Sequence, residues 1–164
     1  MTSTVFVLLV ACCCCLTLAA LAWHDLRRRR LPNRLVAVLG ALYLVFALFA
    51  HDALLPHLAT GAVTLLIAMI LTARGYMGGG DAKLLTVVLC WSGTSLLLPT
   101  LLFITQAGLI VGLAGWLARK LRQTRPRLRR MTLLRCLTAE RGVPYGVALA
   151  IGGAFAILVQ INRF

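Results

Sequence analysis

The stretch that decides the fold is residues 5–30, VFVLLVACCCCLTLAALAWHDLRRRR, in which an unbroken apolar run leads directly to Asp25 and four arginines. A helix that crosses the hydrocarbon core of a bilayer needs about 20 apolar residues, and the run from Val5 to Trp23 supplies them. Of all 164 residues, 61% are hydrophobic and 13% are charged, against about 45–50% and about 25% in soluble domains. This composition excludes an ordinary soluble enzyme, a secreted disulfide scaffold and a disordered tail, and it indicates an integral membrane protein.

Four more apolar stretches follow the first one, at residues 35–50, 54–73, 82–118 and 143–161. Segment 82–118 is too long for one span and carries turn signals at residues 91–95 and at Pro99, so we interpret it as two helices, the first of them short. The sequence therefore predicts an all-α bundle of six transmembrane helices, forming a single domain over residues 1–164.

The basic residues assign the two sides of this predicted bundle. Every lysine and arginine except Arg163 falls in one of three clusters, at residues 27–34, 74–83 and 119–141, which follow the first, third and fifth spans. Cytoplasmic loops of membrane proteins are rich in Lys and Arg, so we expect these clusters in the cytoplasm and both termini on the opposite side. Residues 119–142 would form a basic cytoplasmic segment that contacts anionic lipid headgroups.

The net charge of +13 is also typical of nucleic-acid-binding proteins. Here the charges are separated by apolar runs rather than gathered on one soluble module, so we predict no nucleic-acid partner. Residues 20–22 resemble a signal-peptidase site and residues 9–12 a lipoprotein site. However, a secretory signal needs positive charge before its apolar run, and residues 1–6 carry none, so we expect neither to be cleaved.

The cysteines and histidines give no sign of a metal site. Residues Cys12 to Cys15 are consecutive and point around a helix, and the chain has no CxxC pair outside this run, so we predict no metal, no cofactor and no effect of chelators. His51, Asp52 and His57 are expected in a solvated loop between the second and third spans.

Two of the four acidic residues lie at predicted helix ends on the same side of the membrane, Asp25 after the first span and Asp81 at the start of the fourth. Acids near hydrocarbon are costly and mark functional sites. If the two helices pack together, one carboxyl holds a proton and the pair can act as in an aspartic protease. Taken singly, Asp81 is more simply a helix N-cap and Asp25 an ion-pair partner of Arg28 or Arg29.

The glycines before Asp81 favour catalysis over capping, because residues 78–80 leave room for a substrate backbone beside the carboxylate. The chain contains three motifs: GGGDAKL at 78–84, preceded by DLRRRRLPN at 25–33 and followed by VPYG at 143–146. They resemble the GxGDxKL motif, the first-aspartate motif ending in I/L-P-N, and the V-P-Y/F-G motif of the type IV prepilin peptidases. The resemblance covers nearly the whole chain.

The resemblance implies an intramembrane aspartic peptidase of the GxGD type with Asp25 and Asp81 as the catalytic pair. The matching motif positions imply an active-site or substrate role for Gly78, Gly79, Gly80, Lys83, Pro32, Asn33, Pro144, Tyr145 and Gly146. Three of these residues also have expected positions relative to the helices. Pro32 and Asn33 would separate the first two helices, and Pro144 would lie in the first turn of the last one. Lys83 either tunes the acidic pair or anchors its helix at the membrane boundary.

The implied substrate is a prepilin or pseudopilin whose basic leader is cut, typically after a glycine, at the cytoplasmic face of the bacterial inner membrane. The implied partners are this precursor, membrane lipids and the pilus assembly machinery. Larger family members carry a domain with two CxxC pairs and also N-methylate the new terminus. Because this sequence has no such domain, we expect peptidase without methyltransferase activity, as in the compact members that serve Flp/tight-adherence pili or archaellum-like systems.

Two other functions are compatible with the same residues. The acids of a small transporter or proton channel can form a relay, although the spans offer few polar residues for one. A non-catalytic membrane subunit of a pilus or secretion machine would retain the motifs without the activity.

Overall fold

The structure, a computed structural model, describes residues 2–50, 54–124 and 144–163. Over these ranges the regular structure is entirely helical, as the sequence predicts. The helices are α1 (Thr2–Arg28), α2 (Asn33–Ala50), α3 (Leu54–Ala73), α4 (Gly79–Ser92), α5 (Leu97–Thr124) and α6 (Tyr145–Ile161).

Four of the described helices are long and apolar enough to cross a membrane, namely α1, α2, α3 and α5. The other two are shorter, since α4 has 14 residues and α6 has 17. These lengths confirm an all-α, multi-pass membrane protein. A count of six full spans and the side on which the termini lie remain predictions.

Three prolines and their neighbours refine the predicted boundaries. α1 continues past Trp23 to Arg28, because arginine and leucine favour helix and no breaker occurs before Pro32. Pro99 was expected in a turn but is the third residue of α5, where its missing N–H costs nothing. Pro144 was expected in the first turn of α6 but occupies the N-cap position, one residue before the helix begins.

α4 lies at the centre of the bundle and packs mainly against α3 and α6. Its residues Leu84, Val88 and Trp91 are fully buried. The Trp91 indole N–H donates to the Leu39 carbonyl of α2 at 3.1 Å, which satisfies the polar edge of a buried ring. α6 also packs against α1. The ends of α1 and α4 are therefore held together mainly by α6, and less by direct packing of α1 on α4.

The expectation that His57 lies in a solvated loop is wrong. His57 belongs to α3 and is 6% exposed, its Nδ1 donates to the Cys90 carbonyl of α4 at 2.7 Å, and its ring stacks on Tyr43. A histidine with this bond and a stacked partner can be buried at the contact between helices. His51 and Asp52 lie outside the described residues, as do Val143 and most of the basic segment 119–142.

Candidate active site

Asp25 lies in the last turn of α1 and is 6% exposed. Its carboxyl is approached by the backbone N–H groups of Gly146 and Val147, which begin α6, and by the positive charge of Arg29. Its Oδ2 atom is buried and has no hydrogen-bond partner within the described ranges. Buried polar atoms are usually paired, so this oxygen marks Asp25 as a candidate functional residue.

Asp81 is the third residue of α4 and not its cap. The N-cap is Gly78, and no side chain caps the helix, so the capping interpretation of Asp81 does not hold. α4 is not among the four candidate spans. Burial disfavours the charged carboxylate, and the negative charge of Asp25 disfavours it further; together they raise the pKa of Asp81 to about 6.

The two carboxyls line one cavity of about 400 Å³ at the end of the bundle where α1 ends and α4 begins. The other lining residues lie between the end of α1 and the start of α2, or directly before Asp81: Arg29, Arg30, Leu31, Asn33, Gly78, Gly79 and Gly80. Acids that influence each other across a shared cavity titrate as a pair. Such a pair can hold one proton and act as base and acid on the same bound group.

The glycines directly before Asp81 allow close packing around its side chain. A Cβ on Gly78 would lie 3.1 Å from the Asp81 Oδ2, and one on Gly80 would lie 3.2 Å from the Leu31 Cβ. The Asp81 carboxyl and the Leu31 side chain therefore occupy part of the space that side chains at Gly78 and Gly80 would take. At Gly79, by comparison, the nearest atom to an added Cβ is 3.9 Å away, which is an ordinary contact.

The remaining motif residues fall into two groups. Asn33 lines the cavity, and its Oδ1 accepts a hydrogen bond from the Lys83 Nζ at 3.2 Å. Lys83 itself is exposed and lines a different depression between α2 and α3, a position that suits an anchor at the membrane boundary better than a group tuning the acids.

Three other motif residues support the site without lining it. Pro32 precedes α2, and Pro144 is fully buried just before α6. Tyr145 packs on α5, where an added Cβ on Gly108 would lie 3.3 Å from its ring. These positions fix the start of α6, whose N–H groups approach Asp25.

Arg29 is part of the cavity, although the sequence suggested it only as an ion-pair partner of Asp25. Its φ of 52° is in the left-handed region, which is costly for a residue with a side chain and tends to occur at functional sites. Its backbone N–H donates to the Asp25 carbonyl at 3.0 Å. The four-residue spacing from Asp25 is the signal that the sequence offers; the left-handed turn is not visible there.

Comparison with known proteins agrees with the family that the three motifs resemble. The model of the type IV leader peptidase family matches residues 5–113, a stretch that includes both Asp25 and Asp81. Over 151 residues the chain is 30% identical to the prepilin leader peptidase/N-methyltransferase of Stutzerimonas stutzeri. That alignment covers 86% of this chain and 46% of the relative, so the chain spans about half the relative's length.

No solved structure gives a significant match. The family match nevertheless covers well over half of the sequence and contains both acids of the cavity. The chain therefore belongs to the type IV leader peptidase family.

Proposed function

We propose that this protein is an intramembrane aspartic endopeptidase that removes the basic leader from prepilin or pseudopilin precursors. The observation that carries the proposal is the pair Asp25 and Asp81, two carboxyls on different helices that line one cavity at the end of the bundle. Membership of a leader peptidase family supports the peptidase activity. The paired acids supply the aspartic mechanism.

The surroundings of the two acids suggest different roles. Arg29 and the N–H groups that begin α6 lie beside Asp25, and groups of this kind stabilise a carboxylate. Both carboxyls lose hydration on burial, but Asp81 has a neighbouring negative charge where Asp25 has these stabilising groups, and burial together with that charge raises the pKa of Asp81. In the proposed mechanism Asp25 is therefore the ionised base and Asp81 holds the proton.

Peptide hydrolysis then proceeds in two steps that balance. Asp25 takes a proton from water as the water oxygen bonds to the scissile carbonyl carbon, and Asp81 gives its proton to the carbonyl oxygen. When the tetrahedral diol collapses, the C–N bond breaks, Asp25 protonates the leaving amine, and Asp81 recovers a proton from a diol hydroxyl. Both acids return to their starting states.

The charges favour cleavage on the cytoplasmic side of the bacterial inner membrane. The cavity lies beside the arginines that end α1 and near Lys83 of α4, and positively charged loops favour the cytoplasm. By the resemblance of the three motifs, the substrate belongs to a Flp/tight-adherence pilus, and the partners are its precursor, membrane lipids and the pilus assembly machinery.

The test is cleavage of a prepilin by the purified protein in liposomes. Asp25→Asn and Asp81→Asn should each lower cleavage by at least about 10²-fold, because each removes a proton-transfer group. Asp52→Asn, at an aspartate outside the three motifs, is the matched control and should cleave normally. Full processing by either active-site variant would refute the acidic pair and favour a non-catalytic subunit, whereas ion flux that depends on Asp81 would favour a transporter.

A further inference from the structure

An apolar groove of about 460 Å³ lies between α3 and α5, with α4 as its floor. α3 contributes residues between Pro56 and Leu71, α4 contributes Leu85 and Leu89, and α5 contributes Leu97 and Leu101. Among the residues that the structure describes, no charged side chain lines the groove. The hydroxyl of Thr60 on its wall donates to the Pro56 carbonyl of its own helix at 2.8 Å, so the Thr60 proton is already used within α3.

The groove and the active-site cavity are neighbours along α4, which contributes residues to both. Residues four apart on a helix lie on one face, so Asp81, Leu85 and Leu89 form a single row along α4, with Asp81 at its start. At the same end, Gly79 of the cavity faces Thr72, with 3.9 Å between an added Cβ and the Thr72 Cγ2, and Thr72 follows the groove residue Leu71. An occupant of the groove therefore has one end beside Asp81.

The dimensions of the groove suit a membrane-spanning segment. From Pro56 to Leu71, at 1.5 Å per residue, α3 lines it over about 22 Å, most of the roughly 30 Å of hydrocarbon in a bilayer. A polypeptide at this depth must satisfy its backbone hydrogen bonds internally and is helical. An apolar helix matches both the length and the uncharged lining.

We propose that this groove seats an apolar transmembrane helix of the substrate and so presents the bond at the end of that helix to Asp25 and Asp81. The inference rests on the proposed function and adds to it a site that holds the substrate in the membrane. A lipid chain or a second copy of this protein could also cover an apolar surface. The substrate helix is favoured because the row of α4 residues on the floor of the groove begins at Asp81, so a helix lying along this row would have one end beside that acid.

The test compares two apolar residues of α3 that are similarly exposed but point to different sides of the helix. Ile67 lines the groove and is 54% exposed, whereas Met69 is 58% exposed and does not line it; two residues separate them by about 200° around the helix. Ile67→Trp would fill the groove, and Met69→Trp is the matched control. Each is assayed in liposomes on a full-length prepilin and on a peptide that keeps the leader and cleavage site but lacks the apolar helix.

Ile67→Trp should lower kcat/KM for the full-length prepilin by about tenfold or more, the equivalent of about 1.4 kcal/mol, and leave peptide cleavage unchanged. Met69→Trp should change neither. Equal cleavage of the full-length prepilin by Ile67→Trp and wild type, or an equal loss on both substrates, would overturn the groove as the helix site.

A photo-crosslinker at each position gives a second readout that does not depend on turnover. In an Asp81→Asn background, a benzophenone side chain at position 67 should capture the prepilin helix and one at position 69 should not. Capture only of lipid, or of a second copy of the protein, would overturn the proposal in favour of that occupant. Failure of the wild type to cleave any prepilin would remove the proposed function, and this inference with it.

Discussion

Gly146→Ala should damage the active site while largely sparing the fold. Gly146 lies in the first turn of α6, and an added Cβ would lie 2.8 Å from the Asp25 Oδ2, 2.9 Å from its Cγ and 3.0 Å from its Cβ. Favourable contacts between non-bonded atoms lie near 3.5–4.0 Å. The Asp25 carboxyl, which is buried against this residue, must therefore move by about 0.7 Å.

The cost of this movement to stability and to activity should differ. Overfilling a packed site costs about 1–3 kcal/mol, and replacing a helical glycine by alanine returns up to about 1 kcal/mol, so the folded protein should remain stable enough to assay. A misplacement of about 1 Å in a catalytic arrangement can cost about 10²-fold in rate. We expect kcat/KM for prepilin cleavage to fall by about 10- to 100-fold, with a small change in melting temperature.

Gly40→Ala is the matched control for this substitution. Gly40 lies within α2, and the nearest neighbour of an added Cβ is the Val87 Cγ2 at 3.9 Å, an ordinary contact. The same chemical change should therefore leave cleavage unaffected. Wild-type cleavage by Gly146→Ala, or a loss of activity that merely follows a loss of folded protein, would refute the argument that Gly146 positions Asp25 for reaction.

Three further predictions concern pH, charge and topology. Because the pKa of Asp81 is raised from 3.8 to about 6, the protonated Asp81 carboxyl contributes stability that is complete below pH 4 and is lost as pH rises through 6. Thermal melts between pH 4 and 7 should therefore show the wild type losing more stability than Asp81→Asn. An equal loss in the two proteins would contradict this. Arg29→Gly should fold normally, since glycine accepts a φ of 52°, yet it should cleave prepilin about tenfold more slowly, a loss of about 1.4 kcal/mol. Arg29→Lys keeps the positive charge and should retain activity. Arg28→Gly, in the same arginine run, is the control and should cleave normally. Alkaline phosphatase, which is active only outside the cytoplasm, should be active when fused after residue 164 and inactive when fused at residue 124; the reverse pattern would invert the predicted orientation.

Much of the fold follows from hydropathy and chain breakers. The predicted limits of the third helix match α3, and those of the second begin two residues after the start of α2, because each apolar run ends in polar or turn-forming residues. The end of α1 was less predictable. Past Trp23, side chains that favour helix carry it through Asp25 without an apolar signal. The burial of His57 depends on a carbonyl of α4 and a ring of α2, neither of which is near it in the sequence.

The candidate site divides in the same way. The motifs single out both acids, Gly146 and the glycines before Asp81, but they group Lys83 with the acids, whereas its Nζ bonds to Asn33 and its side chain lies outside the cavity. The role of Arg29 depends on a left-handed backbone turn. A backbone conformation of this kind is imposed by the neighbouring elements and not by the arginine itself.

By itself, the sequence determined that the chain enters a membrane as a bundle of helices, and it singled out Asp25 and Asp81 as candidate catalytic acids, because hydrophobic length and the cost of charge near lipid act locally along the chain. Only the tertiary structure decided that α6 joins α1 to α4, that its N–H groups and Arg29 lie beside Asp25, and that an apolar groove lies between α3 and α5 with Leu85 and Leu89 of α4 as its floor. These features depend on which helix faces are in contact, and helices of similar hydropathy do not specify their neighbours until their side chains pack.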